Sequence, residues 1–463
     1  MRIGKRGFRA RVKSDLHIEF GDEQLTSYAG LELVQRFVRG IGLRKMLLGV
    51  ERRLGLTGDL GLSALVLLVV AMLITGARRL AHVSFLANDP LVRRFCGLRR
   101  LPSERTLSRS LKKLTWRTWP ALDAINTRIV AAGVMQLDLP RWTLDMDGTV
   151  LTTGLSVERA TRGFNPHHRK NPSYYPITLM LAQTNHVIGH KNRTGGVHDS
   201  HQSGRFLRDN VRSIRTEIGF RGLLEFRADA AFFHRQVLES CDSLGLEYAI
   251  RVPMWPWLNI RGVVKKQRKT DWTWVDRAKK VQGLFVDLPI GPWDRTERVA
   301  IYRKAVNHEP VKGQQLDLFN PDDGYWEYSA VCTNKSLQLQ ALWHFFNGRG
   351  VQEKVIGELK SGYAFGDIPT KTYSANTAWQ KLNVLAHNLM TTLQLVTTAE
   401  KKDPTPRRTT LFLLRSISTL RFEWLVKAAR VLRPAGRHVL RLANNSATQN
   451  SIAKIQARLD QAA

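Results

Sequence analysis

The stretch Arg141-Trp142-Thr143-Leu144-Asp145-Met146-Asp147-Gly148-Thr149 decides the fold class. Trp142, Leu144 and Met146 alternate with Thr143, Asp145 and Asp147, the period-two pattern of a strand with one face in a core. A second β-type run, Leu223 to Arg227, ends at Asp229, and a third, Glu247 to Val252, follows a helical segment from Phe233 to Leu244. Strands separated by helices predict an α/β sheet.

Upstream of this stretch, residues 1–135 read as a helical region. Apolar residues recur at three and four spacing in Leu31 to Leu48, Leu60 to Ile74 and Thr106 to Leu122. Leu60 to Ala77 carries no charge over 18 residues, the lower edge of membrane-spanning length, and reads as a buried helix. In Leu101 to Lys113, Ser103 can cap a helix that presents Arg105, Arg109, Lys112 and Lys113. Such a helix suits a DNA surface, and equally a solvated face.

Downstream, residues 253–330 scatter Trp255, Trp257, Trp272, Trp274 and Trp293 among Lys, Arg, Gly and Pro, with strand-like runs at Val299 to Val306 and Tyr325 to Thr333. They predict a β-rich insertion that divides an α/β domain into 136–252 and 331–400. Residues 401–463 read as a basic, helical tail, with Pro404 and Pro406 as its hinge.

Lys and Arg number 71 against 39 Asp and Glu, a formal charge of +32. Self-repulsion on that scale is relieved by a polyanion, and duplex DNA carries about one negative charge per 1.7 Å of its axis. Nucleic acid is therefore the expected partner, and no membrane is expected. Cys96, Cys241 and Cys332 are odd in number, far apart and without zinc spacing, which argues for a reducing, cytoplasmic setting. No apolar run follows the basic N-terminus, so no signal peptide is expected.

Three segments carry candidate chemistry. Asp145 and Asp147 point to one face of a strand, where a hard cation would offset their lost hydration; a turn at Asp147-Gly148 is the structural alternative. Asp229 stands at a strand end, where α/β sheets bind ligands and where an Asp also caps helices. In Phe346 to Lys360, a turn of about 100° per residue puts Phe346, Arg349, Glu353 and Lys360 within an arc of roughly 60–80°. An exposed salt-bridged face is the alternative there, and Gly348 and Gly350 weaken the first turn. His190, His198 and His201 match no zinc spacing and receive no role.

The three segments in this order resemble bacterial insertion-sequence transposases of the DDE type, whose third motif is Tyr, two residues, Arg, three residues, Glu, six residues, Lys. The spacing 346, 349, 353, 360 matches, with Phe346 in the place of the Tyr. Gly154 and Glu158, the Arg227-Ala228-Asp229 run, Thr333-Asn334, Ala375-Asn376 and Leu385 to Leu389 extend the resemblance over residues 140–400.

The resemblance implies an RNase H-like catalytic domain in which Asp147, Asp229 and Glu353 are catalytic and hold two Mg2+ ions, with Mn2+ as substitute and Asp145 as rival for the first position. It further implies hydrolysis at the ends of a mobile element, then attack of the freed 3′-hydroxyl on target DNA; two metals about 3.5–4 Å apart suit that in-line displacement. Arg349 and Lys360 are expected to grip phosphates, and a Trp such as Trp293 or Trp326 to stack a flipped base. The implied partners are double-stranded DNA (terminal inverted repeats and target) and a second copy of the chain in a homodimeric synaptic complex. The implied location is the bacterial cytoplasm at the nucleoid. The competing functions are an inactive DNA-binding protein on the same fold and a nuclease without strand transfer.

Overall fold

The computed structural model describes residues 16–21, 24–154, 156–163, 170–306, 326–403 and 410–461. The segment expected to hinge at Pro404 and Pro406 lies outside these residues. Among the described residues, six α-helices precede the central sheet: α1 (Leu31–Gly40), α2 (Leu43–Leu54), α3 (Leu62–Thr75), α4 (Pro90–Cys96), α5 (Glu104–Lys112) and α6 (Trp119–Val134). Leu65 to Ile74 are all buried, because α3 is apolar on every side and must be surrounded. Among the described residues no single helix is long and apolar enough to cross a membrane.

The N-terminal region is not purely helical as expected. A strand at Leu25–Thr26 pairs antiparallel with Ala429–Leu432, whose other neighbour is Val439–Leu442. This also corrects the expectation of a helical tail, where among the described residues only Ile417–Leu425 and Ser446–Gln461 form helices of appreciable length. The reason is visible in the short alternating runs Arg430-Val431-Leu432 and Val439-Leu440-Arg441-Leu442, separated by Pro434 and Gly436, which turn the chain back on itself.

The centre of the molecule is a nine-stranded mixed sheet. Its strands are β1 (Arg141–Gly148), β2 (Ile177–Leu181), β3 (His186–Lys191), β4 (Leu223–Ala228), β5 (Glu247–Val252), β6 (Thr273–Asp276), β7 (Val281–Ile290), β8 (Arg295–Ala305) and β9 (Trp326–Thr333). Their order across the sheet is β3-β2-β1-β4-β5-β9-β8-β7-β6. β1, β4 and β5 run parallel, and every other neighbour is antiparallel. The β-rich stretch at 253–330 thus prolongs this same sheet, through the pairing of β9 with β5.

Trp142, Leu144 and Met146 pack on one face against α7 (Ser203–Ser213), α8 (Arg235–Ser243) and the end of α6. The opposite face is covered as well, by α10 (Leu339–Asn347), α11 (Val351–Gly362) and α12 (Tyr373–Thr397), so that β1 is buried from Trp142 to Met146; α9 (Ile260–Lys265) lies beside the first layer. The edge strand β3 is closed by Asn388 of α12, whose amide accepts from Val187 N and donates to Val187 O. The three cysteines are buried and free.

Candidate active site at the strand ends

The covered face of β1 and β4 carries charge where a core would be expected. Parallel pairing sets Thr143 beside Glu225 and Asp145 beside Arg227. Glu225 accepts from Arg141 (2.7 Å), Thr143 (2.7 Å) and Lys335 (2.7 Å), and Lys335 also reaches Glu247. Burial alone would raise the Glu225 pKa, but these hydrogen bonds prevail and hold it below the usual carboxylate value. One step along the strands, Arg227 Nε and Nη2 donate to Asp145 Oδ1 and Oδ2 at 2.6 and 2.8 Å. Both oxygens of Asp145, the rival for the first metal-binding position, are thereby engaged in a pair with almost no exposure.

Just past the last paired residues, Met146 and Ala228, Asp147 and Asp229 meet at one arginine. Arg349 Nη2 lies 3.2 Å from Asp147 Oδ2 and 3.7 Å from Asp229 Oδ2, one cation between two carboxylates. Asp229 also caps the turn that follows it, accepting from Ala231 N at 3.1 Å, so the capping alternative and the ligand position coexist in one side chain. The Asp147 pKa is pushed up to about 7, first by burial and then by Asp229 and Asp199, against the pull of Arg349 and the Gly148 amide.

Asp199 was not singled out from the sequence. It sits in the loop between β3 and α7, and burial, with Asp229 beside it, raises its pKa. A Cβ on Gly148 would lie 2.6 Å from Asp199 Oδ1 and 2.7 Å from the Tyr175 hydroxyl, so only glycine admits both side chains over the strand end. No local pattern around Asp199 announces this; its proximity arises from the fold.

Glu353 lies on α11, one turn beyond Arg349, and is exposed. The helix is fixed on either side of it: Gln352 Nε2 donates to Asp145 O of β1 at 3.2 Å, and Lys360 Nζ donates to Val150 O just past β1 at 3.1 Å. Burial lowers the Lys360 pKa, with Asp147 opposing. Among the described residues no three His, Cys, Asp or Glu side chains are gathered closely enough to hold a metal ion. The structure therefore unites Asp147 and Asp229, and leaves Glu353 exposed on α11, one turn beyond the shared Arg349 in the preceding 3-10 turn. The oxygen-only donors of Asp147 and Asp229, two carboxylates sharing one arginine, fit a hard divalent ion.

Phe346 does not share the stripe of Arg349, Glu353 and Lys360. A 3-10 turn at Gly348–Gly350 separates α10 from α11, because two glycines within three residues weaken the helix there. Phe346 packs instead in the apolar cluster that contains Ala249, Tyr302 and Leu342. The Ser103 hydroxyl accepts from Thr106 N at 3.3 Å, and Arg105, Arg109, Lys112 and Lys113 are exposed on and just after α5. Trp293 belongs to a cluster beside α8, with ring centroids 5.1 Å from Phe233 and 5.8 Å from the half-exposed Trp257; Trp326 is stacked by Arg303 at 4.4 Å. His190 is buried and bonded to Gln380 (2.9 Å), a core role.

The family described as transposase DDE domain group 1 matches residues 8–463. Among solved structures, a cryo-EM structure of piggyBac transposase in a synaptic complex with hairpin DNA superposes with a TM-score of 0.40 and 11% identity, covering 78% of this chain and 72% of that one. No curated protein matches.

Proposed function

From the premise that the chain belongs to the transposase DDE domain family, we propose that it is an insertion-sequence transposase with an RNase H-like catalytic domain. In this reading it cleaves the ends of its element by phosphodiester hydrolysis and joins the 3′-hydroxyls to target DNA. The observation that carries the proposal is that Asp147 and Asp229, just past the paired ends of β1 and β4, share the single guanidinium of Arg349.

Asp147 and Asp229 would hold divalent metal, Mg2+ or Mn2+, and Glu353 would complete the set; the ions would activate the attacking oxygen and stabilise the leaving one. The chain's own residues have distinct tasks. α11, tied to Asp145 and Val150 through Gln352 and Lys360, would cover the β1 side of the site. Arg349 and Lys360, one turn before and two turns after Glu353, flank the carboxylate and suit contacts to the scissile strand's phosphates. The exposed Arg105, Arg109, Lys112 and Lys113 would hold duplex DNA farther from the chemistry, and the Trp257–Trp293 cluster offers an apolar platform for a base displaced from the stack. Two element ends must be held at once, which assigns a homodimer to the synaptic complex, acting in the bacterial cytoplasm at the nucleoid.

The test is Glu353→Gln. Cleavage of DNA carrying the inverted repeats that flank the gene should fall below detection while binding of the same DNA is retained. Cleavage at the parent rate by this variant refutes the assignment. Joining of the cut ends to a second DNA separates a transposase from a nuclease.

A further inference from the structure

We propose that the buried Asp145–Arg227 pair and Gln352 form a positioning tie that fixes the three carboxylate-bearing elements relative to one another. Asp145 precedes Asp147 by two residues on β1, Arg227 precedes Asp229 by two residues on β4, and Gln352 precedes Glu353 by one on α11. Each proposed ligand thus has a neighbour in the same network. This inference rests on the function proposed above.

The links are specific. Arg227 grips both oxygens of Asp145, at 2.6 and 2.8 Å, which couples β1 to β4 by more than backbone hydrogen bonds. Its Nη1 reaches the carbonyl of Phe345 near the end of α10, and its guanidinium lies 5.1 Å from the Phe345 ring centroid. The turn after α10 carries Arg349, and α11 starts immediately beyond it. Gln352 closes the circuit through the carbonyl of Asp145 at 3.2 Å. The tie therefore sets the angle and depth at which α11 delivers Arg349 and Glu353 to the strand ends.

Stability alone does not account for this arrangement. A buried ion pair is often replaceable by apolar residues of similar volume without loss. Gln352 is buried and its Oε1 has no hydrogen-bond partner among the described residues, so the amide is retained at the cost of an unsatisfied acceptor. A leucine of similar size would avoid that cost and give up only the link to Asp145. Residues that orient metal ligands without touching the ion change metal affinity when replaced, typically about 10- to 100-fold.

Three proteins are compared in full length: the parent, Gln352→Leu and Arg227→Lys. Binding of Mn2+ is followed by the loss of the free-ion electron paramagnetic resonance signal, and thermal unfolding is measured without metal. For Gln352→Leu we expect a melting temperature equal to or above the parent's and a Mn2+ dissociation constant raised about 10-fold or more. Arg227→Lys keeps the charge but loses the two-pronged grip, and should weaken Mn2+ binding at least as much. In metal-dependent cleavage, kcat should fall in both variants while KM for DNA stays within about twofold, as expected when positioning rather than binding is impaired. Parent-like Mn2+ affinity in both variants overturns the tie and leaves the proposed function standing. A parent that binds no Mn2+ overturns both. Should Arg227→Lys fail to fold, Gln352→Leu alone decides: parent-like Mn2+ affinity and kcat overturn the tie, and a loss of both at an unchanged melting temperature supports it.

Discussion

Two levels of the same sheet face treat charge in opposite ways. At residues 141–145 of β1 and 225–227 of β4, each buried charge meets its counterpart: Arg141 and Lys335 on Glu225, Arg227 on Asp145. Two residues farther along, Asp147 and Asp229 share Arg349, while Asp199 beside them is paired with Arg193. The first level lies within the paired strands and the second just beyond their paired ends. The difference is in the pairing: Asp147 and Asp229 divide one arginine, whereas Glu225 and Asp145 each have a cation of their own. A buried carboxylate with only a share of a cation costs free energy unless something positive arrives.

The comparison can be broken at either level. The largest effect is expected at the upper one, where Asp147→Asn should bring DNA cleavage below detection, yet leave the melting temperature unchanged or raised because a crowded, half-buried carboxylate is removed. A cleavage assay and a thermal scan on the same preparation check both halves. At the lower level the same kind of change should act in reverse. Arg227→Met strands the Asp145 carboxylate in the core, and unfolding free energy should drop by about 3–5 kcal/mol, read from denaturant titration.

A smaller effect sharpens the comparison through pH. The folded pKa of Asp147, about 7, lies above the ordinary carboxylate value, so the folded chain binds more protons than the unfolded chain between those two limits. Stability of the metal-free protein from this group is then fullest below about pH 4, declines as pH rises, and levels off above pH 7, with a total on the order of a few kcal/mol. Thermal scans across that range should show the slope in the parent and a flatter curve in Asp147→Asn. The smallest effect is expected far from both levels. Replacing Arg109 and Lys112 by Ala should weaken duplex binding severalfold and reduce its salt dependence by about one unit of slope for each phosphate that is no longer neutralised, with cleavage of saturating DNA unchanged.

How much of this could be read from the sequence depends on the range of the interaction. The alternation in Arg141 to Gly148 marked the central strand, because period two is a local signal. Asp147 and Asp229 stood out because each ends a strand. The division between Asp145 and Asp147 was not legible: they share a strand face two residues apart, and only the register against Arg227 gives them different partners. Asp199 was missed for the same reason, since it meets the other aspartates across Gly148 and Tyr175 and not along the chain. The spacing from Phe346 to Lys360 suggested one helical stripe, but the turn at Gly348–Gly350 divides it and sends Phe346 into a different cluster. The strands near the C-terminus were hidden by their brevity and by a run of basic residues that resembles a helical tail.

The central claim is that Asp147 and Asp229 await a cation that Arg349 only partly replaces. A crystal of the protein soaked in Mn2+ and recorded at a wavelength where manganese scatters anomalously tests it directly. The account predicts a difference peak within coordination distance of both Asp147 and Asp229, with Arg349 moved away from them. A peak at Asp145 instead, or saturating Mn2+ that leaves Arg349 between the two aspartates and no peak beside them, would contradict it.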